Sequence, residues 1–406
     1  MMVAAPPLSL LGGLRARLRP EAALILCGAR LELRAGDREQ LLRLLDTKLD
    51  WAYLLNLASR HGLRPLLYRH LNAIAAAAVP KAVFAQLWSW HEFTARRNQA
   101  MAKELLRILG LLDTNGIPAV PYKGPALAAS IYGDLTLREF GDLDILLKPN
   151  DAIRAKDILQ AEGYLPDLFL PPAVEAGFVR SKKHYDIELL HEQTGVLVEL
   201  HWKTNSEFAI EATGDERWWN ALVTAELCGT RVRSLAPEEL LLILCLHGVK
   251  HRWRRLGWLV DVAELVRQHP RMDWARVLAI AKARGCKRRL AVGLHLAHHL
   301  LDMALPQDVM YAISVQPRST ALACAIGDAL FQEEFPQLDP LQELRFDLTL
   351  YDRRTQQFRH CVEMLLAPSY YDWSQRTLPR ALAFVYLPRR LIRLAKKYVP
   401  MALGRR

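Results

Sequence analysis

Asp142 and Asp144 lie two residues apart in "EFGDLDILLK", residues 139 to 148, an apolar stretch that otherwise reads as a buried strand. Strand side chains alternate between faces, so both aspartates share one face with Leu146, while Leu143, Ile145 and Leu147 take the other. Two carboxylates that close repel, and each is costly to desolvate without a cation beside it. A divalent metal ion is the simplest such cation; the alternative is a strand end whose acids pair with Arg138 or Lys148. A third acid repeats the anomaly in "VLVELHW", where Leu197, Glu199 and His201 share one face and Val196, Val198 and Leu200 the other. If this strand neighbours the first, three carboxylates converge on one sheet. Such an oxygen-rich set suits Mg²⁺, which completes its octahedron with water and phosphate oxygens. A cross-strand salt bridge is the alternative for Glu199, and Trp202 reads as a core aromatic.

Two further groups could do chemistry. In "KHYDIELLH", His184, Asp186 and Glu188 alternate onto one face, and with His201 opposite they could form a transition-metal site. The competing reading is the wet face of a hairpin, with Lys183 or His184 reaching toward a ligand. In "HGVKH", His247, Lys250 and His251 share a helix face, but Gly248 stands where a zinc protease needs its glutamate. These three form either a packing cluster, with Asp261, or the polar wall of a cleft.

The elements that must position these residues follow from the periodicity. Residues 1–112 read as an N-terminal helical region, with apolar residues at three- and four-residue spacing. Residues 113–205 read as a compact α+β core. Its order is a strand from Ile117 to Tyr122, the short helix "PALAASIYG", a strand from Phe140 to Leu147, the helix "PNDAIRAKDILQAEGY", and a hairpin turning at "HEQTG". Helical periodicity returns at Pro237 within a region of residues 206–335, and a helical tail, 336–406, ends in the basic stretch "LPRRLIRLAKKYVP". The fold class expected is therefore α+β, a small mixed-sheet core flanked by helical regions.

The chain has 406 residues, 51% hydrophobic and 24% charged, a folded composition large enough for two or three domains. A net charge of +11 favours anionic partners such as nucleotides. The six cysteines are scattered with no Cys-x-x-Cys pair, which suggests no disulfide framework or structural zinc, and Cys245 and Cys324, in apolar settings, read as reduced core residues. The N-terminus carries its basic residues after a short apolar stretch, the reverse of a secretory signal, and no apolar segment reaches bilayer length. The expected location is cytoplasmic.

A Lys123-Gly124 turn, Arg138 shortly before Gly141-Asp142-x-Asp144, a Glu199-Leu-His201-Trp strand and a helix ending His247-x-x-Lys250-His251 occur here in that order. Over roughly residues 40 to 300, this chain resembles a family of uncharacterised bacterial nucleotidyltransferases of the polymerase-beta-like fold. The resemblance implies transfer of an NMP, most often AMP, from an NTP (ATP as the usual donor) to a hydroxyl or phosphate of an unidentified small molecule or peptide. It implies two Mg²⁺ ions about 3.5–4 Å apart. Asp142 and Asp144 would bridge them, and Glu199 would hold the catalytic ion and take the acceptor's proton. Gly124 would let the backbone approach the triphosphate, and Lys123 and Arg138 would neutralise phosphate charge. Gly141, His184, His201, Lys250 and His251 complete the nucleotide-binding candidates. One departure stands out: the wider fold has Gly-Gly or Gly-Ser at this turn, whereas Pro125 follows Gly124 and offers neither N–H nor hydroxyl.

Two other readings share these residues. One is a transferase directed at tRNA or an antibiotic, although no basic-aromatic stripe marks a nucleic-acid surface. The other is a degenerate member that binds nucleotide or a partner without turnover. The basic tail could meet an anionic membrane surface or be a solvated helix face.

Overall fold

A computed structural model describes Gly13 and residues 17–181, 184–204 and 214–366. Lys183 and the basic stretch at 387–400 lie outside the described residues. The chain forms two compact units, each built from three separated stretches of sequence. One takes residues 107–121, 142–222 and those from 338 onward; the other takes those up to 106, 122–141 and 223–337.

The first unit carries a five-stranded mixed sheet. Its strands are β1 (Ala119–Pro121), β2 (Asp142–Leu147), β3 (Tyr164–Pro166), β4 (Asp186–His191) and β5 (Leu197–His201), in the order β1-β2-β5-β4-β3. β2 and β5 run parallel; the other neighbours are antiparallel. The expected core strands are present, and β3 is an edge strand that the periodicity does not reveal because it is only three residues long. The α+β class is as expected.

Alternation gives the sheet two unlike faces. Leu143, Ile145 and Leu147 of β2, Val198 and Leu200 of β5 and Leu189 of β4 are all fully buried. Helix α1 (Ala152–Ala161) packs against β5 and β3, with Ala152, Ala155 and Leu159 equally buried. Burying such an apolar face holds the opposite, acidic face in place, because a one-residue slip of any strand would exchange the two. A second helix, α2 (Pro172–Arg180), packs on α1. The β4–β5 turn closes with His191 N–H donating to the Val196 carbonyl and Gly195 N–H to that of His191, and Gly195 adopts φ +67°.

The second unit is mainly helical. Helices α3 (Pro237–Lys250), α4 (Leu256–Gln268) and α5 (Lys287–Leu301) pack on one another. Trp253, fully buried, fills the junction of α3 and α5. A Cβ at Gly248 would stand 2.4 Å from its ring, and one at Gly293 would stand 2.9 Å away. Arg252 and Trp253 both hold positive φ, +55° and +52°, conformations that cost side-chain residues energy and persist because the ring is locked. This unit also holds a hairpin absent from the periodicity reading: β6 (Val223–Leu227) and β7 (Thr230–Ser234). Its two-residue turn, Cys228-Gly229, has both φ values positive, +50° and +78°, the primed turn that fits strand twist. No helix among the described residues is long and apolar enough to cross a membrane.

Gly248→Ala should destabilise the helical unit by at least about 1–3 kcal/mol, and pairing it with Trp253→Leu should restore part of the loss; urea melts of the two variants check this. A second expectation concerns acid. His61 is buried and its Nδ1 accepts from Leu256 N–H at 3.1 Å; burial, with Arg60 and Arg255 nearby, pushes its pKa down to about 3, against a weaker opposing bond to the Leu330 carbonyl. As pH falls, the unfolded chain takes the proton first, near 6.5, so stability present above 6.5 is lost progressively toward 3. The urea midpoint should drop across that window, and drop less in His61→Asn.

Candidate active site

The register of the central strands decides what the acidic face can do. β2 and β5 pair so that Asp144 stands directly opposite Glu199, and Asp142 opposite Leu197. β4 extends the rows, with Glu188 opposite Glu199 and Asp186 opposite His201. Partners across a ladder share a face, so Asp144, Glu199 and Glu188 form one row across three strands. Leu146, His201 and Asp186 form the next. The anomaly of each acid inside its own apolar strand thus becomes a single acidic surface.

Its centre is closely knit. His201 Nε2 lies 3.3 Å from Asp144 Oδ1 and 3.0 Å from Glu199 Oε2, and the Asp144 side chain is only 1% exposed. Burial alone would lower the pKa of His201, but the hydrogen bonds to Asp144 and Glu199, with help from the charges of Asp144 and Asp186, raise it to about 9. At neutral pH the ring is therefore an imidazolium set between two carboxylates. The chain itself supplies the cation that like-charged neighbours require.

The same three side chains are the group, among the described residues, whose ligand atoms lie within 4.8 Å of one another in metal-binding fashion. Two carboxylates and an imidazole fit a divalent ion: oxygen donors suit Mg²⁺ or Mn²⁺, and the nitrogen widens the choice to the transition metals. Asp142, half-buried, lies one row away on the same face.

The remaining candidates have the following places. His184 is buried, its ring stacked on Phe178 with centroids 4.1 Å apart. Lys148 bonds Glu216. In the helical unit, Lys123 is half-buried with Nζ 5.2 Å from the Tyr122 ring. Gly124 has φ +53°, open to glycine alone without strain, and begins the short helix Gly124–Leu127 with Pro125 in its first turn. Arg138 forms a two-pronged ion pair with buried Asp261, at 2.8 and 2.9 Å, and Tyr132 donates to the same carboxylate at 2.6 Å. Asp261, considered as a partner for the histidine cluster, is thus held by Arg138 and Tyr132.

Arg138 also has its backbone held. Asn98 Nδ2 donates to the carbonyls of Leu135 and Arg138, at 2.6 and 2.8 Å, and Arg97 to that of Phe140 at 2.5 Å. Arg97 Nη2 stands 3.8 Å from where a Cβ on Gly141 would sit. Lys250 is exposed at the end of α3, while His247 and His251 stand 4.7 Å apart, each 5.2 Å from the Trp258 ring. Asp186 and Glu188, which the alternation sets on one face with His201 opposite, do lie across from His201 and Glu199 on the acidic face.

His201→Leu should cost roughly 3 kcal/mol in metal-free buffer, because it leaves buried Asp144 facing half-buried Glu199 with no cation between them. The triple variant Asp144→Asn/Glu199→Gln/His201→Leu should lose less, since no bare charge remains; urea denaturation of both decides.

A family model described as uncharacterised nucleotidyltransferase matches residues 47–302 of the chain. No curated protein matches it.

Proposed function

From the premise that the chain belongs to this uncharacterised nucleotidyltransferase family, whose activity class is nucleotidyl transfer, we propose that it is a Mg²⁺-dependent enzyme moving AMP from ATP to the hydroxyl or phosphate of an acceptor in the cytoplasm. The observation that carries the proposal is the direct opposition of Asp144 and Glu199 on adjacent parallel strands, with His201 bonded to both. In this reading Asp142, Asp144 and Glu199 hold the metal, which supplies charge neutralisation at the α-phosphate and a lowered pKa for the acceptor hydroxyl.

The chain's own residues do the rest. Glu199, the less buried of the two central acids, receives the acceptor's proton, and His201 fixes the orientation of Asp144 and Glu199. Gly124 lets the backbone approach the triphosphate, with Lys123 beside it as a cation. Gly141, His184, Lys250 and His251 are the further nucleotide contacts of this reading. The Arg138–Asp261 pair favours a different role for Arg138. A guanidinium engaged by a buried carboxylate holds the loop before β2 in place and does not travel to a phosphate.

Incubation with α-labelled ATP, Mg²⁺ and small-molecule extract should label an acceptor and release pyrophosphate. Asp144→Asn should reduce the rate by at least about 10³-fold, the size of effect seen when a group acting at the reacting phosphate is removed. Mg²⁺ should also raise the melting temperature of the wild type and not of the Asp144→Asn/Glu199→Gln variant. Labelling that persists undiminished in both variants would sink the reading.

A further inference from the structure

Residues 138–141, the segment that directly precedes Asp142 in the chain, meet the guanidiniums of Arg138, Arg64 and Arg97, all within the helical unit. Arg138 gives both prongs to buried Asp261. Arg64 gives both prongs to Glu139, at 2.7 and 3.2 Å, and lies over the Trp90 ring at 4.9 Å. Each of these two charges is matched by a carboxylate in a fixed, two-pronged pair. Arg97 differs. Among the described residues its Nη1 donates to the neutral carbonyl of Phe140, at 2.5 Å, and no carboxylate pairs with it.

The helix Lys81–Thr114 sets Arg97 in this place. Its next residue, Asn98, is fully buried and donates to the carbonyls of Leu135 and Arg138. Asn98 thus fixes how the helix is turned toward the segment, and Arg97 takes its direction from that. Arg97 is half-buried, with Nη2 3.8 Å from where a Cβ on Gly141 would sit. Gly141 is exposed, and apart from its chain neighbours no other described group comes within 4 Å of that point. One prong of Arg97 is therefore spent on a carbonyl, while its charge stands uncompensated beside open backbone. A planar fork of this kind matches the oxygens of a phosphate, and partial burial strengthens the attraction.

We propose that Arg97 is the guanidinium that holds the phosphate chain of the nucleotide, the role that the family resemblance gives to Arg138. The inference rests on the transferase reading, in which Gly141 is a nucleotide contact. Arg97 stays anchored through Nη1 on the Phe140 carbonyl, engages phosphate oxygens through Nη2, and keeps its charge throughout. The chemistry it recognises is a polyphosphate, which a nucleoside triphosphate and the pyrophosphate product both carry. Arg138 and Arg64 shape the segment and Arg97 reads the ligand, so one short stretch of chain divides its cations between structure and binding.

Calorimetric titration of the full-length protein in Mg²⁺ buffer tests this, with ATP, pyrophosphate and adenosine as probes. Arg97→Gln removes the charge while its amide can still donate to the Phe140 carbonyl. It should weaken ATP and pyrophosphate about tenfold or more and adenosine less than about twofold, and Arg97→Lys should recover part of the loss. Melting curves confirm that the variants fold. Phenylglyoxal labelling of the wild type, read by peptide mass spectrometry, probes the same contact without a substitution. Arg97 should react, and pyrophosphate should shield it. Equal reaction with and without pyrophosphate, or no reaction, overturns the proposal. A folded Arg97→Gln variant that binds ATP as the wild type does also overturns it, even if pyrophosphate binding falls. Transfer from labelled ATP separates the two readings. Arg97-dependent polyphosphate binding with no labelled product from any acceptor sinks the transferase and leaves an anion site. Product formed by Arg97→Gln with an unchanged KM for ATP does the reverse.

Discussion

Everything at the acidic face depends on the contact of one imidazole with two carboxylates. Asp144 and Glu199 are brought face to face by strand register, not by attraction, and the apolar underside of the sheet enforces that register. Hydrophobic burial on one side therefore imposes like-charge proximity on the other. His201, two residues along from Glu199, relieves it by hydrogen-bonding both acids. An ion pair buried to this degree contributes little net stability beside apolar residues of the same volume. What it does is keep two carboxylate oxygens aimed at one point.

That arrangement places a cation within the cluster itself. The imidazolium occupies the electrostatic role a divalent ion would take, from within the same ladder. The contacts from His201 hold the two carboxylates together. Asp186, opposite His201 on β4, strengthens the bias toward the charged ring.

Much of this was legible in the chain. Alternation placed Asp142 and Asp144 on one face, and Glu199 with His201 on another, because period-two patterning is local. The pairing of β2 with β5 was only a condition, since residues 144 and 199 are separated by two helices, an edge strand and a hairpin strand. His201 was harder to weigh, because its partners came from two strands at once. Asp186 and Glu188 read either as a metal-binding face with His201 opposite or as a solvated hairpin face, and alternation alone does not decide between the two. The Arg138–Asp261 pair spans 123 positions and has no local signature. The β6–β7 hairpin escaped because the periodicity there is weak, although Cys228-Gly229 bears the glycine of a tight turn.

The helical unit teaches a different lesson through Trp253. "HGVKH" looks like a metal motif that has lost its glutamate, yet Gly248 is there because an indole five residues later leaves no room for a Cβ. The glycine and the tryptophan are thus coupled by a single steric contact. A relative with a larger residue at the first position should carry a smaller one at the second.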